Sequence, residues 1–270
     1  MARIIAITNN KGGCGKPTTA VNMGAALRLR GFDVLLIDYD GQANLTATLG
    51  VEALNGSTVY DAVKRPDTPY IQPARVLYPT ASGCGVLDVL PACEDLAAVD
   101  VEQAREPDRV TRLTGVVNLY AGKYDVILID TPPALGLQTI AALYAADETI
   151  ITVQPQYLAV GGLVRLSGSI ATINANRPNR PALFSRVLFT QYDRRKGLHR
   201  ATVEQVTGAG FLRFNTVIRD NVALGEAPAA ALDIFRYAPN SYGAQDYAAL
   251  TAEYLNGTKL GHAKHGYKII

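Results

Sequence analysis

Residues 3–19 read Arg-Ile-Ile-Ala-Ile-Thr-Asn-Asn-Lys-Gly-Gly-Cys-Gly-Lys-Pro-Thr-Thr, a short apolar run followed by a glycine-rich turn. The glycines allow successive backbone N–H groups to point inward around a polyphosphate, and the start of a following helix adds partial positive charge. Lys16 adds a full positive charge at the end of the turn. The stretch therefore predicts a phosphate-binding loop between a strand and a helix. A turn that binds nothing is the alternative, but it leaves Lys11 and Lys16 unexplained.

The loop departs at two positions from the common phosphate-loop pattern G-x-x-x-x-G-K-[ST]. Asn10 stands where the first glycine belongs, and Pro17 stands where a Ser or Thr hydroxyl usually coordinates Mg²⁺. Proline supplies neither a hydroxyl nor a backbone N–H, although its fixed φ suits the first turn of a helix. We therefore expect nucleotide binding to persist in weakened form and hydrolysis to be slow or absent.

Length and composition set the class of protein. A chain of 270 residues with 48% hydrophobic content can bury the core of one large α/β domain. We expect that single domain to span residues 1–258, and residues 259–270 to form a flexible basic tail. The net charge of +2 argues against a globally polyanion-binding surface, so any nucleic-acid contact must come from a local patch.

The three cysteines, Cys14, Cys84 and Cys93, are odd in number and form no C-x-x-C pair. No signal peptide precedes the first strand, so the sequence favours a reducing cytoplasm. No apolar run approaches the length of a membrane span.

Apolar runs separated by helical patterns predict the architecture. The runs at 34–37 and 126–129 end in Asp38 and Asp130, as expected of buried parallel strands whose carboxyl edge carries a site. Residues 149–153 and 185–190 predict two more strands, and a last helix contains Tyr247, Leu250 and Tyr254 and begins at a cap, either Asn240 or Ser241. The sequence therefore predicts an α/β fold, a doubly wound, mostly parallel sheet with flanking helices of the P-loop NTPase type.

Two acidic segments complete the predicted site. Asp130 follows four apolar residues and is the best candidate to help hold the cation that a phosphate loop needs, with a helix N-cap or turn as the alternative. Asp38 and Asp40 are separated by one residue, a spacing also typical of a solvated turn. The neighbouring Gln42 and Asn44 favour a functional segment instead.

The loop, 11–18, resembles the deviant Walker A motif K-G-G-x-G-K-[ST]-T of the ParA/MinD family of ATPases, with Lys11 at the position of the signature lysine. Residues 130–133, Asp-Thr-Pro-Pro, resemble the Walker B and switch II stretch D-[TC]-P-P. Residues 37–45 resemble the switch I stretch I-D-x-D-P-Q-x-N, with Gly41 in place of the proline.

Two downstream segments extend this resemblance from residue 3 to about residue 255. Residues 153–159 are similar to V-Q-P-E-x-x-A, with Gln156 in place of the acid. Residues 221–228 are similar to N-V-x-L-x-E-A-P, which in relatives lies near the adenine.

The resemblance implies ATP/ADP and Mg²⁺ as cofactors and assigns roles to particular residues. Catalysis is assigned to Asp40, which positions or activates the attacking water, and to Lys11 and Lys16. Metal binding is assigned to Asp38 and Asp130. The implied nucleotide-binding residues are Lys11, Gly12, Gly13, Cys14, Gly15, Lys16, Pro17, Thr18 and Pro228; Cys14 occupies the variable position and is given no chemistry.

Several features favour a small ParA of the plasmid or chromosome partition kind. The tail, with its two glycines, makes a poor amphipathic helix, so membrane binding is not expected. Cys84 and Cys93 do not match the cluster ligands of nitrogenase iron-protein relatives. Because the first strand begins at residue 3, no N-terminal helix-turn-helix domain is expected.

The resemblance also implies partners and location. We expect a homodimer on ATP binding, in which Lys11 of each copy reaches the other's phosphates, non-specific DNA binding at the nucleoid, and a centromere-binding ParB-like protein that stimulates hydrolysis. The candidate DNA-binding residues are Arg194, Arg195, Lys196, Arg200 and Arg219, although a basic run is also typical of a solvated face. The alternatives are a nucleotide-responsive binding or regulatory protein with little or no turnover, and a family member that positions another cargo.

Overall fold

The computed structural model describes residues 1–65, 70–78, 84–177 and 181–258. The predicted basic tail, 259–270, lies outside these residues. Within them the strands are β1 Arg3–Thr8, β2 Val34–Asp38, β3 Ala74–Arg75, β4 Leu87–Leu90, β5 Val126–Asp130, β6 Glu148–Val153 and β7 Phe184–Phe189.

The helices fall between and after the strands. They are α1 Lys16–Leu29, α2 Asn44–Leu49, α3 Val59–Lys64, α4 Val99–Glu102, α5 Arg112–Tyr120, α6 Leu137–Ala145, α7 Ala159–Ala175, α8 Gly197–Gly208, α9 Val222–Glu226, α10 Ile234–Tyr237 and α11 Tyr242–Asn256. Short 3-10 turns occupy Leu54–Gly56, Glu94–Ala98 and Ala227–Ala230.

The described strands form one seven-stranded sheet in the order β3-β4-β2-β5-β1-β6-β7. Every neighbouring pair is parallel except the edge pair β3 and β4, which is antiparallel. The predicted α/β fold with a mostly parallel sheet and flanking helices is confirmed. The strand order places β1, and with it the glycine-rich turn, between β5 and β6 near the centre of the sheet.

Alternate residues of the central strands enter two separate cores because side chains on a strand alternate between its faces. In β1, Ile4 and Ala6 pack with side chains of α3, α5, α6 and α7, whereas Ile5 and Ile7 pack with side chains of α1, α2, α10 and α11. Both faces of the sheet are therefore covered, and this is why the strands are continuous apolar runs.

Helix α1 packs unusually closely on the sheet. A Cβ atom at Gly24 would lie 2.8 Å from Leu36 Cδ2, so only glycine allows this approach without a shift. Gly24 lies in the middle of α1, the helix that begins at Lys16 directly after the turn.

The predicted boundaries agree closely with the observed ones. The strand predicted at 185–190 runs from Phe184 to Phe189, which leaves Thr190 just beyond the sheet. Of the two proposed caps for the last helix, Ser241 is the one used: its side chain accepts a hydrogen bond from the backbone N–H of Ala244.

Candidate nucleotide site

The glycine-rich turn connects the end of β1 to the start of α1 at the carboxyl edge of the sheet. Gly13 and Gly15 have φ values of 73° and 75°, in the left-handed region that residues with a Cβ rarely adopt. Gly15 is also the N-cap of α1, so the free N–H groups of the helix face the turn. The turn therefore has the backbone geometry of an anion-binding loop.

Two side chains that follow β7 bind the carbonyl groups of this loop. Thr190 Oγ1 donates to the carbonyl oxygen of Cys14 at 2.9 Å, and Gln191 Nε2 donates to that of Gly13 at 2.7 Å. Because a trans peptide is planar, its N–H points opposite to its C=O. The two hydrogen bonds thus direct the next two N–H groups to the other side of the loop. Neither residue was predicted from the sequence; their one signal was a pair of polar residues at the end of an apolar run.

Lys16 and Lys11 lie in different surroundings. Lys16 is 4% exposed, and its Nζ donates to the carbonyl oxygen of Lys11 at 3.4 Å. Burial lowers the pKa of Lys16, and the negative charges of Asp130 and Asp40 oppose that shift. Lys11 is exposed, and its amine donates to Oε1 of Gln156. Lys16 therefore belongs to the loop's own site, whereas Lys11 lies at the surface beside it.

Asp38 and Asp130 end β2 and β5 and are aligned in the register of these two parallel strands. Both are buried. Burial raises the pKa of Asp38 to about 6, and it raises the pKa of Asp130 well above its usual range, with the neighbouring Asp38 charge adding to the effect. The structure thus brings together the two carboxylates predicted to bind metal, in surroundings that penalise their charge.

Thr46 holds the carboxylate of Asp38. Its backbone N–H and its hydroxyl donate to Asp38 Oδ2 at 2.8 and 2.7 Å, and its hydroxyl accepts from the backbone N–H of Ala92. Asp40 is half-buried and accepts from the backbone N–H of Gln42 at 3.0 Å. Thr46 was not predicted from the sequence either, since nothing in its local pattern distinguishes it from other helix residues.

The carboxylates fit a magnesium ion bound together with nucleotide phosphates. Asp130 Oδ1 is buried and has no hydrogen-bond partner among the described residues, so one oxygen is left for a ligand. The described residues contain no group of three or more His, Cys, Asp or Glu side chains that could hold a metal by themselves. Mg²⁺ characteristically uses one or two carboxylates plus phosphates and water rather than a full protein cage, so the donor set suits it.

Pro17 lies in the first turn of α1, where its fixed φ is compatible with the helix. The hydroxyl of Thr19 does not replace the missing one, because Thr19 is fully buried and its hydroxyl is hydrogen-bonded to the hydroxyl of Tyr247 at 3.1 Å. Thr18 follows Pro17 and is half-buried, and its carbonyl oxygen accepts from Asn22 Nδ2 within the helix.

Pro228 lies in the 3-10 turn Ala227–Ala230, on the side of the sheet that carries α1. The end of this turn approaches α2 closely: a Cβ atom at Gly50 would lie 2.7 Å from Ala231 Cβ. The next helix, α10, is tied to α1 by a hydrogen bond from Ile234 N to Asn22 Oδ1. The structure thus places this segment beside the helix that leaves the loop.

The predicted DNA-binding residues lie on one region of the surface. Arg194, Arg195 and Lys196 are exposed between β7 and α8, and Arg200 is exposed in the first turn of α8. Arg219 joins them, because the segment around it pairs with Tyr192. Two of these cations are already paired: Arg195 with Asp193 at 3.0 Å, and Arg219 with Asp246 at 2.6 Å. Among the described residues Arg194, Lys196 and Arg200 make no such ion pair.

Comparison with known proteins identifies the family of the chain. Residues 2–182 match the AAA_31 family, described as an AAA domain. The chain is 39% identical over 257 residues to the sporulation initiation inhibitor protein Soj of Bacillus subtilis (strain 168), covering 94% of this chain and 98% of that protein. It is 35% identical over 257 residues to the chromosome partitioning protein ParA of Myxococcus xanthus (strain DK1622), covering 94% and 88%.

Solved structures are similar over nearly the whole chain. The crystal structure of cobyrinic acid a,c-diamide synthase from Mycobacterium smegmatis with bound ADP and magnesium has a TM-score of 0.77 and 27% identity, covering 98% of this chain and 100% of that one. The septum site-determining protein MinD complexed with Mg-ADP from Pyrococcus horikoshii OT3 has a TM-score of 0.73 and 25% identity, covering 95% and 98%. The chain therefore belongs to the ParA/MinD family of P-loop ATPases.

Proposed function

We propose that this protein is a ParA-type partition ATPase that binds ATP with Mg²⁺, pairs face to face with a second copy and then binds DNA non-specifically. Its similarity to Soj and ParA proteins along most of the chain supports the partition role. The observation that carries the proposal is the different placement of the two lysines, one buried within its own loop and one exposed beside it. One lysine serves the phosphates of its own copy, and the other is available to a partner.

The loop N–H groups and Lys16 bind the phosphates of ATP or ADP, and the segment of Pro228 lies near the base. Asp38 and Asp130 would hold Mg²⁺ together with phosphate oxygens, and the ion would neutralise charge that develops on the transferred phosphoryl group. Asp40, which is half-buried just after β2, positions or activates the attacking water. The catalytic residues are therefore Lys11, Lys16 and Asp40.

Pro17 makes hydrolysis slow in this scheme. Proline has neither the hydroxyl that would coordinate the cation nor the backbone N–H that would bind a phosphate oxygen. Loss of one charge-assisted hydrogen-bond donor costs on the order of 1.5–3 kcal/mol. A misplaced cation weakens stabilisation of the transition state further. Nucleotide binding survives because Lys16 and the remaining loop N–H groups are unaffected.

The nucleotide-bound dimer presents the basic surface, Arg194, Arg195, Lys196, Arg200 and Arg219, to DNA phosphates at the nucleoid. A centromere-binding ParB-like protein stimulates hydrolysis and releases the dimer. Among the described residues, no helix has both the length and the apolar character needed to cross a bilayer. The proposed location is the cytoplasm, with residues 1–258 acting as a single ATPase domain.

A steady-state ATPase assay with and without DNA, combined with light scattering, tests this function. The expected result is ATP- and Mg²⁺-dependent dimerisation, DNA binding by the dimer alone, and turnover that is slow and stimulated by DNA. The exposed basic residues 194–196 and the exposed Lys11 favour this outcome over the second candidate, a nucleotide-responsive regulator. Nucleotide binding with neither dimerisation nor DNA binding would contradict the partition role and favour that regulator.

A further inference from the structure

A cavity of about 630 Å³ lies beside the phosphate loop, on the side of β6 and α7. Its lining includes Lys11 from the loop, Leu163 and Arg165 from α7 and Leu198 from α8, all among the described residues. Lys16, Asp38, Asp40 and Asp130 are not part of this lining. The cavity is therefore adjacent to the proposed nucleotide site but distinct from its carboxylates, and its volume is typical of a small-molecule site.

The floor of the cavity is apolar. Leu163 and Leu166 are each 2% exposed and Val153 is 3% exposed, so these side chains belong to the hydrophobic core. The rim is apolar as well, and unlike the floor it is exposed: Tyr157 is 84% exposed and Leu158 is 76% exposed. Clusters of large exposed apolar side chains next to a concave surface are typical of binding sites.

The charges around the cavity have one sign. Lys11 and Arg165 both line it, and its described lining contains no Asp or Glu. The Lys11 amine has a neutral partner, the amide oxygen of Gln156, and the described residues provide no ion pair to either cation. A cavity with an apolar floor and two cations without carboxylates is complementary to an anion that carries an apolar body.

We propose that this cavity binds a small amphipathic anion, an aromatic or fatty carboxylate or sulfonate, with its apolar body against the exposed Tyr157, Leu158 and Leu198 and its anionic group at Lys11 and Arg165. The anion replaces the neutral Gln156 amide as the partner of Lys11, since a charge-assisted hydrogen bond is the stronger one. A bound ligand therefore keeps Lys11 from a second copy and opposes dimerisation. This regulatory consequence rests on the proposed function, whereas the binding does not.

The binding test uses 8-anilinonaphthalene-1-sulfonate as the probe and the nucleotide-free protein. The blocking variant is Gly162→Leu in α7: a Cβ atom there would meet only Asn10 Oδ1, at 3.7 Å, so the side chain can extend into the cavity. The matched control is Gly168→Leu in the same helix, where a Cβ atom would meet nothing within 4 Å and which does not line the cavity.

Saturable binding to the parent and to Gly168→Leu is expected, with a loss of about tenfold or more in Gly162→Leu, equivalent to roughly 1.4 kcal/mol. Arg165→Gln should weaken binding of the sulfonate but leave the affinity for the uncharged analogue N-phenyl-1-naphthylamine unchanged. Leu198→Glu, at a half-exposed position, should weaken binding of the sulfonate as well, because it places a negative charge in the lining. Equal affinity of the parent and Gly162→Leu, or an equal effect of Arg165→Gln on both probes, would overturn the site.

A second arm measures ATP-dependent dimerisation by light scattering with and without the sulfonate. The probe should reduce dimerisation of the parent and of Gly168→Leu and should have little effect on Gly162→Leu. If Gly162→Leu by itself prevents dimerisation, the cavity is part of the contact between copies and the proposed regulation by the ligand is wrong. If the probe binds as expected but no form dimerises, the proposed function fails and the ligand site stands.

Discussion

Asp38 and Asp130 occupy paired positions on the neighbouring parallel strands β2 and β5. The sheet therefore holds two carboxyl groups side by side at its carboxyl edge, and both are buried. Their raised pKa values show that the nucleotide-free protein disfavours charge on both groups. A cation would relieve that penalty, so the same arrangement that suits Mg²⁺ destabilises the protein when no cation is bound.

This arrangement predicts a pH dependence of stability. The folded pKa of each carboxyl lies above its unfolded value of about 4, so the nucleotide-free protein should lose stability as pH rises above about 4. The contribution of Asp38 is lost as pH rises through about 6, and that of Asp130 is lost as pH rises through its own raised pKa. Asp130→Asn stays neutral at every pH and should flatten this decline. Its Tm at pH 8 should exceed that of the parent by a few degrees, since ~1 kcal/mol corresponds to about 2–4 °C.

Thermal unfolding at pH 5 and pH 8 without nucleotide measures this effect. Glu204→Gln removes an exposed carboxylate from α8 and should leave the pH dependence unchanged. An equal change in Tm between pH 5 and pH 8 for the parent and for Asp130→Asn would show that the buried pair of carboxyl groups carries no such penalty. With Mg²⁺ and ATP present, Asp130→Asn should lose the stabilisation by ligand that the parent gains.

Pro17→Thr should raise Mg²⁺-dependent ATP turnover at least tenfold, an effect of only about 1.4 kcal/mol on the barrier. The threonine restores both a hydroxyl for the cation and a backbone N–H for the phosphates. Pro17→Ala restores the N–H alone and serves as the matched control, for which a smaller gain is expected. Steady-state phosphate release measures all three forms, and equal turnover in the parent and Pro17→Thr is the result that contradicts this account.

Lys11→Ala should abolish ATP-dependent dimerisation more than it weakens ATP binding, because the Lys11 amine is exposed and lies outside its own loop's interior. Lys16→Ala, by contrast, removes a buried amine from the loop and should lose nucleotide binding itself. Calorimetry measures nucleotide affinity and light scattering measures dimerisation. A Lys11→Ala protein that dimerises with ATP as well as the parent would remove the cross-subunit role.

Replacing Arg194, Arg195 and Lys196 with Ala should lower DNA affinity and make its salt dependence shallower, by about 0.9 for each DNA phosphate that the variant no longer neutralises. Arg195 is already paired with Asp193, so the slope should change by the equivalent of about two phosphates rather than three. Nucleotide binding should be unaffected. Fluorescence anisotropy over a range of salt concentrations gives the slope.

A control for net charge replaces three exposed cations elsewhere, Arg105, Arg109 and Lys123. This variant changes the total charge equally but should keep the salt slope of the parent. If both triple variants bind DNA with the same reduced affinity, the basic run acts only through overall charge and is an ordinary solvated surface.

Local patterns were sufficient to predict the central strands and the loop. Apolar runs that end in Asp38 and Asp130 could be recognised because strands buried on both faces exclude polar residues until their carboxyl ends. The loop was recognisable because close packing of N–H groups around phosphate requires glycine. Strands β3 and β4, with two and four residues, were missed because so short a run carries no usable periodicity.

The hydrogen bonds and ion pairs that complete the site depend on the tertiary structure. Thr190 binds the carbonyl of Cys14 across 176 residues of chain, and Arg219 pairs with Asp246 across 27. Neither pairing can be identified from local sequence, since the partners lie on different segments that only the fold brings together. Residue types and their spacing were enough to identify the groups that can bind phosphate and a cation. The groups that hold them in place follow from the fold alone, because hydrogen bonds such as that of Thr190 join segments that are far apart along the chain.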